Sequence, residues 1–254
     1  PSFFDMQERP LLVFDFDGVI VDGMAEYWWS SWHAAKSLAA EPHELSPEQV
    51  PELFRRLRPW IHHGWEMVLL AAELPGLDEA SWVEGYEVQQ HAALLRRGWA
   101  VDLLQGALDR ARLQAVQQDR GAWLQLHRPF PGLARRLRSL DEEGFDWAVL
   151  TTKTEVFTAE LLNAFELRPA RLDGREAGPK PEVLLRLGQE RPLRGFVEDR
   201  RSTLEAVLST EGLQELPCYL VDWGYLKPAD RQQLPPGIQL IDLDRLAKPL
   251  AQWS

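Results

Sequence analysis

Two carboxylates at the end of an apolar run are the first feature of this chain that could do chemistry. Residues 11–17 read Leu-Leu-Val-Phe-Asp-Phe-Asp. On a strand, residues i and i+2 point to the same face, so Asp15 and Asp17 project together while Phe16 points away. Like charges so placed repel, and burying them unpaired is costly. A cation between them, or a proton on one of them, resolves the conflict.

Three further runs end in groups suited to the same task. "LTTKT" puts Thr151, Thr152 and Lys153 where an apolar run stops, "GPKPE" carries Lys180 into a helix, and "FVED" ends on Glu198 and Asp199. Ser202 with Glu205 has capping-box spacing, which predicts a helix starting near Thr203. Hard oxygen ligands from Asp15, Asp199 and Glu198 suit Mg²⁺. The Thr151 hydroxyl can hold phosphoryl oxygens, and Lys180 supplies a compact positive charge. A carboxylate can attack phosphorus, and its neighbour two residues on can protonate the leaving group and then activate water. The inventory points to phosphoryl transfer.

These residues need a scaffold that brings strand ends together. Strands are predicted at 11–17, 146–152, 193–199, 217–223 and 238–244, with helical patterns such as "PGLARRLRSLDEEG" and "TEVFTAELLNAF" between them. That alternation predicts an α/β fold with a mostly parallel, Rossmann-like sheet, in which ligands bind beyond the carboxyl ends of the strands. Between the first two strands, residues 23–128 lack strand patterns. "SPEQ" at 46–49 reads as a capping box, and Pro59, Gly64, Pro75-Gly76 and Gly98 divide the stretch into helices. The predicted organisation is a catalytic core of residues 1–22 and 129–254 with an all-helical domain at 23–128. Eight of the 11 tryptophans fall in the helical segment and are expected to pack its core.

Composition removes other classes. A net charge of −11 argues against nucleic-acid binding, and no apolar run reaches the roughly 18 residues of a membrane helix. The opening "PSFFDMQERP" lacks the pattern of a secretory signal, so a cytoplasmic location is expected. The single Cys218, in "PCYLVDW", reads as an inert strand residue. All six histidines lie between Asp22 and Arg128, so no histidine-based triad or zinc site can form from the remainder. They read as surface or packing residues.

Taken in order, "DFDGVIVD", Thr151, Lys180 and "FVED" resemble the four motifs of the haloacid dehalogenase-like hydrolase superfamily, in the branch with a helical cap inserted after the first motif. "PFPGLARRLRSLDEEG" is similar to that family's return from cap to core, and "WGY" at 223–225 resembles phosphoglycolate phosphatase-like members. The resemblance implies Asp15 as nucleophile and metal ligand, and Asp17 as acid/base. It implies Thr151 and Lys180 on the phosphoryl group and Asp199 on the metal. The Phe16 carbonyl, or the Asp17 carbonyl in a variant arrangement, would complete the ligands. The fourth motif departs from the common form: Glu198 replaces a glycine, and Thr203 stands where a second aspartate is usual. Glu198 reads equally as a substitute carboxylate and as a plain strand-end residue.

Substrate choice in that branch implicates the loop "RLRPWIHHGWE", hence Arg58, His62, His63 and Glu66, with Thr152 beside the phosphoryl pocket. Each also reads as part of a Pro/Gly turn. Lys153 reads equally as a substrate contact and as a solvated lysine opening a helix. The expected function is a Mg²⁺-dependent phosphatase acting on a small phosphorylated metabolite. A phosphomutase and a non-catalytic phospholigand-binding protein are the alternatives. Oligomeric state is not legible.

Overall fold

The computed structural model describes residues 9–38 and 45–253. Strands are β1 (Leu11–Phe14), β2 (Val21–Asp22), β3 (Arg128–Pro129), β4 (Asp146–Leu150), β5 (Arg171–Asp173), β6 (Leu193–Glu198), β7 (Cys218–Val221) and β8 (Ile238–Ile241). Six of them make one sheet in the order β5-β4-β1-β6-β7-β8, every pairing parallel, while β2 and β3 pair separately. The α/β expectation is met. The chain runs outward from β1 to β4 and β5 on one side and through β6, β7 and β8 on the other. Such a reversal beside the first strand opens a crevice at the carboxyl edge.

β5 was not among the expected strands. Its three residues carry one apolar side chain, Leu172, between Arg171 and Asp173, which pair with each other at 2.8 Å. An edge strand this short has no alternating or continuous apolar pattern to read.

Residues Gly23–Arg128 form one compact unit and Pro1–Asp22 with Pro129–Ser254 another. The first contains α1 (Met24–Leu38), α2 (Glu52–Leu57), α3 (Gly64–Glu73), α4 (Glu79–Glu84), α5 (Tyr86–Arg97) and α6 (Val101–Gln125). α6 breaks at Asp119, whose carboxylate accepts the Ala122 N–H at 2.9 Å and caps the second half. α1, α3 and α6 pack on one another, with Trp28, Leu70, Leu108 and Trp123 buried and the Trp28 ring edge-on to Phe54 of α2 at 5.2 Å. Of the eight tryptophans here, Trp28, Trp32, Trp82 and Trp123 are buried and the other four are partly exposed. The capping box expected at Ser46 does not form. Ser46 Oγ donates to Glu48 at 2.6 Å within a turn, the Ser46 carbonyl accepts the Trp28 indole N–H, and the helix begins only at Glu52.

The sheet unit adds α7 (Leu133–Ser139), α8 (Glu155–Ala164), α9 (Lys180–Glu190), α10 (Arg201–Leu208) and α11 (Leu243–Leu246). Leu11 and Val13 of β1, Ala148 and Leu150 of β4, and Phe196 of β6 share one sheet face. They pack against Val183, Leu184 and Leu187 of α9 and against Leu204 and Val207 of α10. Each such large side chain taken fully out of water stabilises by roughly 1.5–3 kcal/mol. Cys218 lies in this core, and burial pushes its thiol up to about 12, which keeps it inert. Among the described residues no helix is long and apolar enough to cross a membrane.

Candidate active site

The ladder of β1 decides where Asp15 stands. Phe14 pairs with Val149 on one side and Val197 on the other, and the Asp15 N–H donates to the Val197 carbonyl at 2.8 Å. One step beyond, Asp15 lies between Leu150 and Glu198. Its side chain keeps the parity of Leu11 and Val13, as Glu198 keeps that of Phe196, so both carboxylates face α9. α9 begins at Lys180, flanked by Pro179 at the N-cap and Pro181 inside the first turn. Lys180 Nζ lies 2.8 Å from Asp15 Oδ1 and 2.7 Å from Glu198 Oε2. All three are buried or nearly so. Burial, then the neighbouring Glu198 charge, push Asp15 up to about 7 despite Lys180. Burial also raises Glu198, against the pull of Lys180. Burial opposes the Lys180 charge, but Asp15 and Glu198 outweigh it and hold the ammonium protonated.

After Asp15 the chain turns sharply. The Phe16 carbonyl accepts N–H groups from Ile20 at 2.9 Å, Val21 at 3.1 Å and Val19 at 3.4 Å. These bonds engage the Phe16 carbonyl, one of the two backbone oxygens expected on the metal, within the turn itself. Gly18 takes a left-handed φ of +84°, and a Cβ there would stand 2.1 Å from Asp199 Oδ2. On the other side, a Cβ on Gly224 would stand 2.3 Å from the Asp199 Cβ. Asp199 is thus sandwiched between two glycines. Its Oδ2 accepts the Tyr225 N–H at 2.8 Å, and the Tyr225 hydroxyl donates to Asp22 at 2.7 Å. The "WGY" segment and the "DFDGVIVD" segment therefore hold each other, with the Trp223 indole N–H on the Val19 carbonyl at 3.0 Å.

Glu198 does more than a strand-end residue. Its Oε1 accepts the Asp199 and Arg200 N–H groups at 3.0 and 3.1 Å, while Oε2 meets Lys180. It serves the entry to α10, where the Ser202–Glu205 capping box was expected. That box is absent: α10 starts at Arg201 without a side-chain cap, and Glu205 pairs with Arg201 at 2.7 Å. Thr203 lies in the first helical turn, partly exposed, its N–H on the Arg200 carbonyl. Oxygens of Asp15, Glu198 and Asp199 all lie within 4.8 Å of one another. A donor set made wholly of carboxylate oxygen fits a hard divalent cation.

Thr151 is buried at the end of β4, its hydroxyl accepting the Lys153 N–H at 3.1 Å, and Thr152 is exposed. Lys153 is no solvated lysine. Its side chain is only 2% exposed, and Nζ lies 3.3 Å from Asp17 Oδ1. The scarcity of lysine, five residues against 23 arginines, was the one signal that could have singled it out.

In the helical unit, Arg58 is buried with its guanidinium 4.9 Å above the Tyr27 ring and Nη1 on the Ile61 carbonyl at 3.3 Å. Glu66 is buried too. It accepts the His63 N–H at 2.9 Å and the Tyr86 hydroxyl at 3.0 Å, capping α3, and burial raises its pKa. His62 and His63 are exposed.

Residues 10–191 match the family profile of haloacid dehalogenase-like hydrolases. Solved structures share the fold over nearly the whole chain. One, described as a predicted phosphoglycolate phosphatase from Haemophilus somnus, is 19% identical with a TM-score of 0.62, covering 95% of this chain and 96% of that one. A predicted phosphatase from Clostridium acetobutylicum is 16% identical with a TM-score of 0.60, covering 94% and 96%. A "putative beta-phosphoglucomutase from Thermotoga maritima" is 14% identical with a TM-score of 0.58, again covering 94% and 96%. At such identities the likeness is one of fold. No match was found among curated proteins.

Proposed function

The chain belongs to the haloacid dehalogenase-like hydrolase family, and from that premise we propose that it is a Mg²⁺-dependent phosphatase of a small phosphomonoester, working through an aspartyl-phosphate intermediate. The observation that carries this reading is Asp15: a buried carboxylate at the end of the central strand, held by Lys180 at 2.8 Å, with two further carboxylates in reach. Asp15 and Asp199, with the Asp17 carbonyl, would hold Mg²⁺, and Glu198 adds its charge behind them. When bound, the cation offsets the negative charge that these carboxylates and a phosphoryl group bring together.

Asp15 attacks phosphorus, forming an O–P bond as the P–O bond to the leaving group breaks. The leaving oxygen takes its proton from Asp17. Asp17 then removes a proton from water, water attacks the aspartyl phosphate, and the O–P bond to Asp15 breaks to release inorganic phosphate. The Thr151 hydroxyl and Lys180 hold the equatorial oxygens, where charge gathers in the transition state. Arg58 and Glu66 also brace their own loop, and Arg58, His62, His63, Glu66 and Thr152 stay the candidates for substrate preference.

The test is release of inorganic phosphate from a panel of phosphosugars and phosphoacids, with and without Mg²⁺. Metal-dependent release from at least one ester is expected. Isomerisation of a phosphosugar without release would make the protein a mutase. Tight binding with neither reaction would make it a phospholigand-binding protein.

A further inference from the structure

Two lysines take three of the four carboxylates of the site. Lys180, from α9, takes Asp15 and Glu198. Lys153, from the end of β4, takes Asp17, 136 residues away in sequence. We propose that Lys153 is a positioning residue for Asp17, fixing one oxygen of its carboxyl so that the other faces the leaving group and later the attacking water. The inference rests on the phosphatase reading above.

The geometry favours an orienting role. Lys153 is pinned at both ends of its own peptide: its N–H donates to Thr151 Oγ1 at 3.1 Å, and its carbonyl accepts the Arg175 N–H at 2.9 Å. The ammonium therefore reaches Asp17 from a fixed base. Its side chain is 2% exposed while that of Asp17 is 16% exposed. Burying an ammonium is costly, so a buried lysine paired with a single carboxylate is weak evidence for a role in stability. Here the cation is dry while the carboxyl keeps some contact with solvent, as a proton-delivering group requires. Asp17 follows Phe16 with its backbone bridged to Val21, and Lys153 comes to its side chain from the end of β4. With Oδ1 held by Lys153, a proton on Asp17 resides on Oδ2, and rotation of the carboxyl that would misdirect it is blocked. Thr151 links the two duties, since one residue's hydroxyl accepts from Lys153 while standing in the phosphoryl pocket.

The measurement compares kcat/KM for two esters that differ only in how much they need a proton. An alkyl phosphate requires protonation of its leaving oxygen; 2,4-dinitrophenyl phosphate does not. Lys153→Met should lower kcat/KM for the alkyl ester by about 100-fold or more, the range general acids supply, and for the dinitrophenyl ester by under about tenfold. In the background of Asp17→Asn, adding Lys153→Met should cost the alkyl ester nothing further. Equal losses on both esters, or an undiminished loss in the double variant, would overturn the inference and make Lys153 a charge on the phosphoryl group or a stabilising residue. Lys153→Arg keeps the charge but displaces it. Should the Met variant not fold, the same ratio of losses in the Arg variant decides the matter in the same two directions. A wild-type protein that turns over neither ester with Mg²⁺ removes the phosphatase reading and this inference with it. A wild type that turns over both, with equal losses in the variants, removes this inference alone.

Discussion

Lys180 meets Asp15 at 2.8 Å while reaching Glu198 at 2.7 Å, so one ammonium serves two buried carboxylates. One positive charge cannot neutralise both. Burial first, and then the surplus negative charge of Glu198, raise Asp15, and that charge is what a divalent cation would relieve.

The raised Asp15 carboxyl makes metal-free stability depend on pH. Asp15 is raised from 3.8 to about 7, so between those values the folded state binds a proton that the unfolded state has lost. Stability then falls as pH rises through that window. Wild-type protein should gain stability relative to Asp15→Asn as pH drops from 8 to 5, and Mg²⁺ should shrink the difference. Urea titrations across the range measure it; parallel curves for the two proteins would remove Asp15 as the source. The same Asp15→Asn variant should fold and show no turnover.

Metal removal should abolish catalysis. Exhaustive chelation is expected to eliminate phosphate release and Mg²⁺ to restore it. Ca²⁺, with longer bonds and more ligands, should restore little. Mg²⁺ should also raise the melting temperature of the wild type and not that of Asp199→Asn. Full activity after chelation would dispose of the metal assignment.

Gly224 sets the seat of Asp199. A Cβ there would stand 2.3 Å from the Asp199 Cβ and 2.7 Å from the Gly18 carbonyl, so the loop carrying the Tyr225 N–H must shift. Gly224→Ala should cost about 100-fold in kcat, since displacements near an ångström carry such penalties. Gly76→Ala, where a Cβ meets nothing within 4 Å, should leave turnover unchanged and serves as the control.

In the helical unit, Glu26 is buried against Arg112 through two bonds of 2.7 and 2.9 Å, with Ser30 donating to the same carboxylate. Glu26→Leu alone strands the Arg112 cation and should destabilise by about 3–5 kcal/mol. Adding Arg112→Met should recover much of that loss. The denaturant midpoint of the three variants measures it, and strict additivity of the two substitutions would contradict the pairing.

What the amino-acid order determined by itself was local: the apolar runs that become five of the six sheet strands, and the motif residues that close them. Asp15, Thr151 and Asp199 were legible because each stands where a continuous apolar run gives way to polar groups, and Lys180 because it stands in a Pro/Gly-rich entry to a helix. Tertiary structure decided what depends on partners distant in sequence or on backbone direction. Lys153 became a partner of Asp17 only through the pairing of β1 with β4. The three N–H groups that converge on the Phe16 carbonyl come together only through the turn. Glu198 took over the entry to α10 because the strand end reaches those amides first, leaving Glu205 to Arg201. Residue types announce which interactions are possible; burial and the sheet register choose among them, because a desolvated charge must take the partner that the backbone brings within reach.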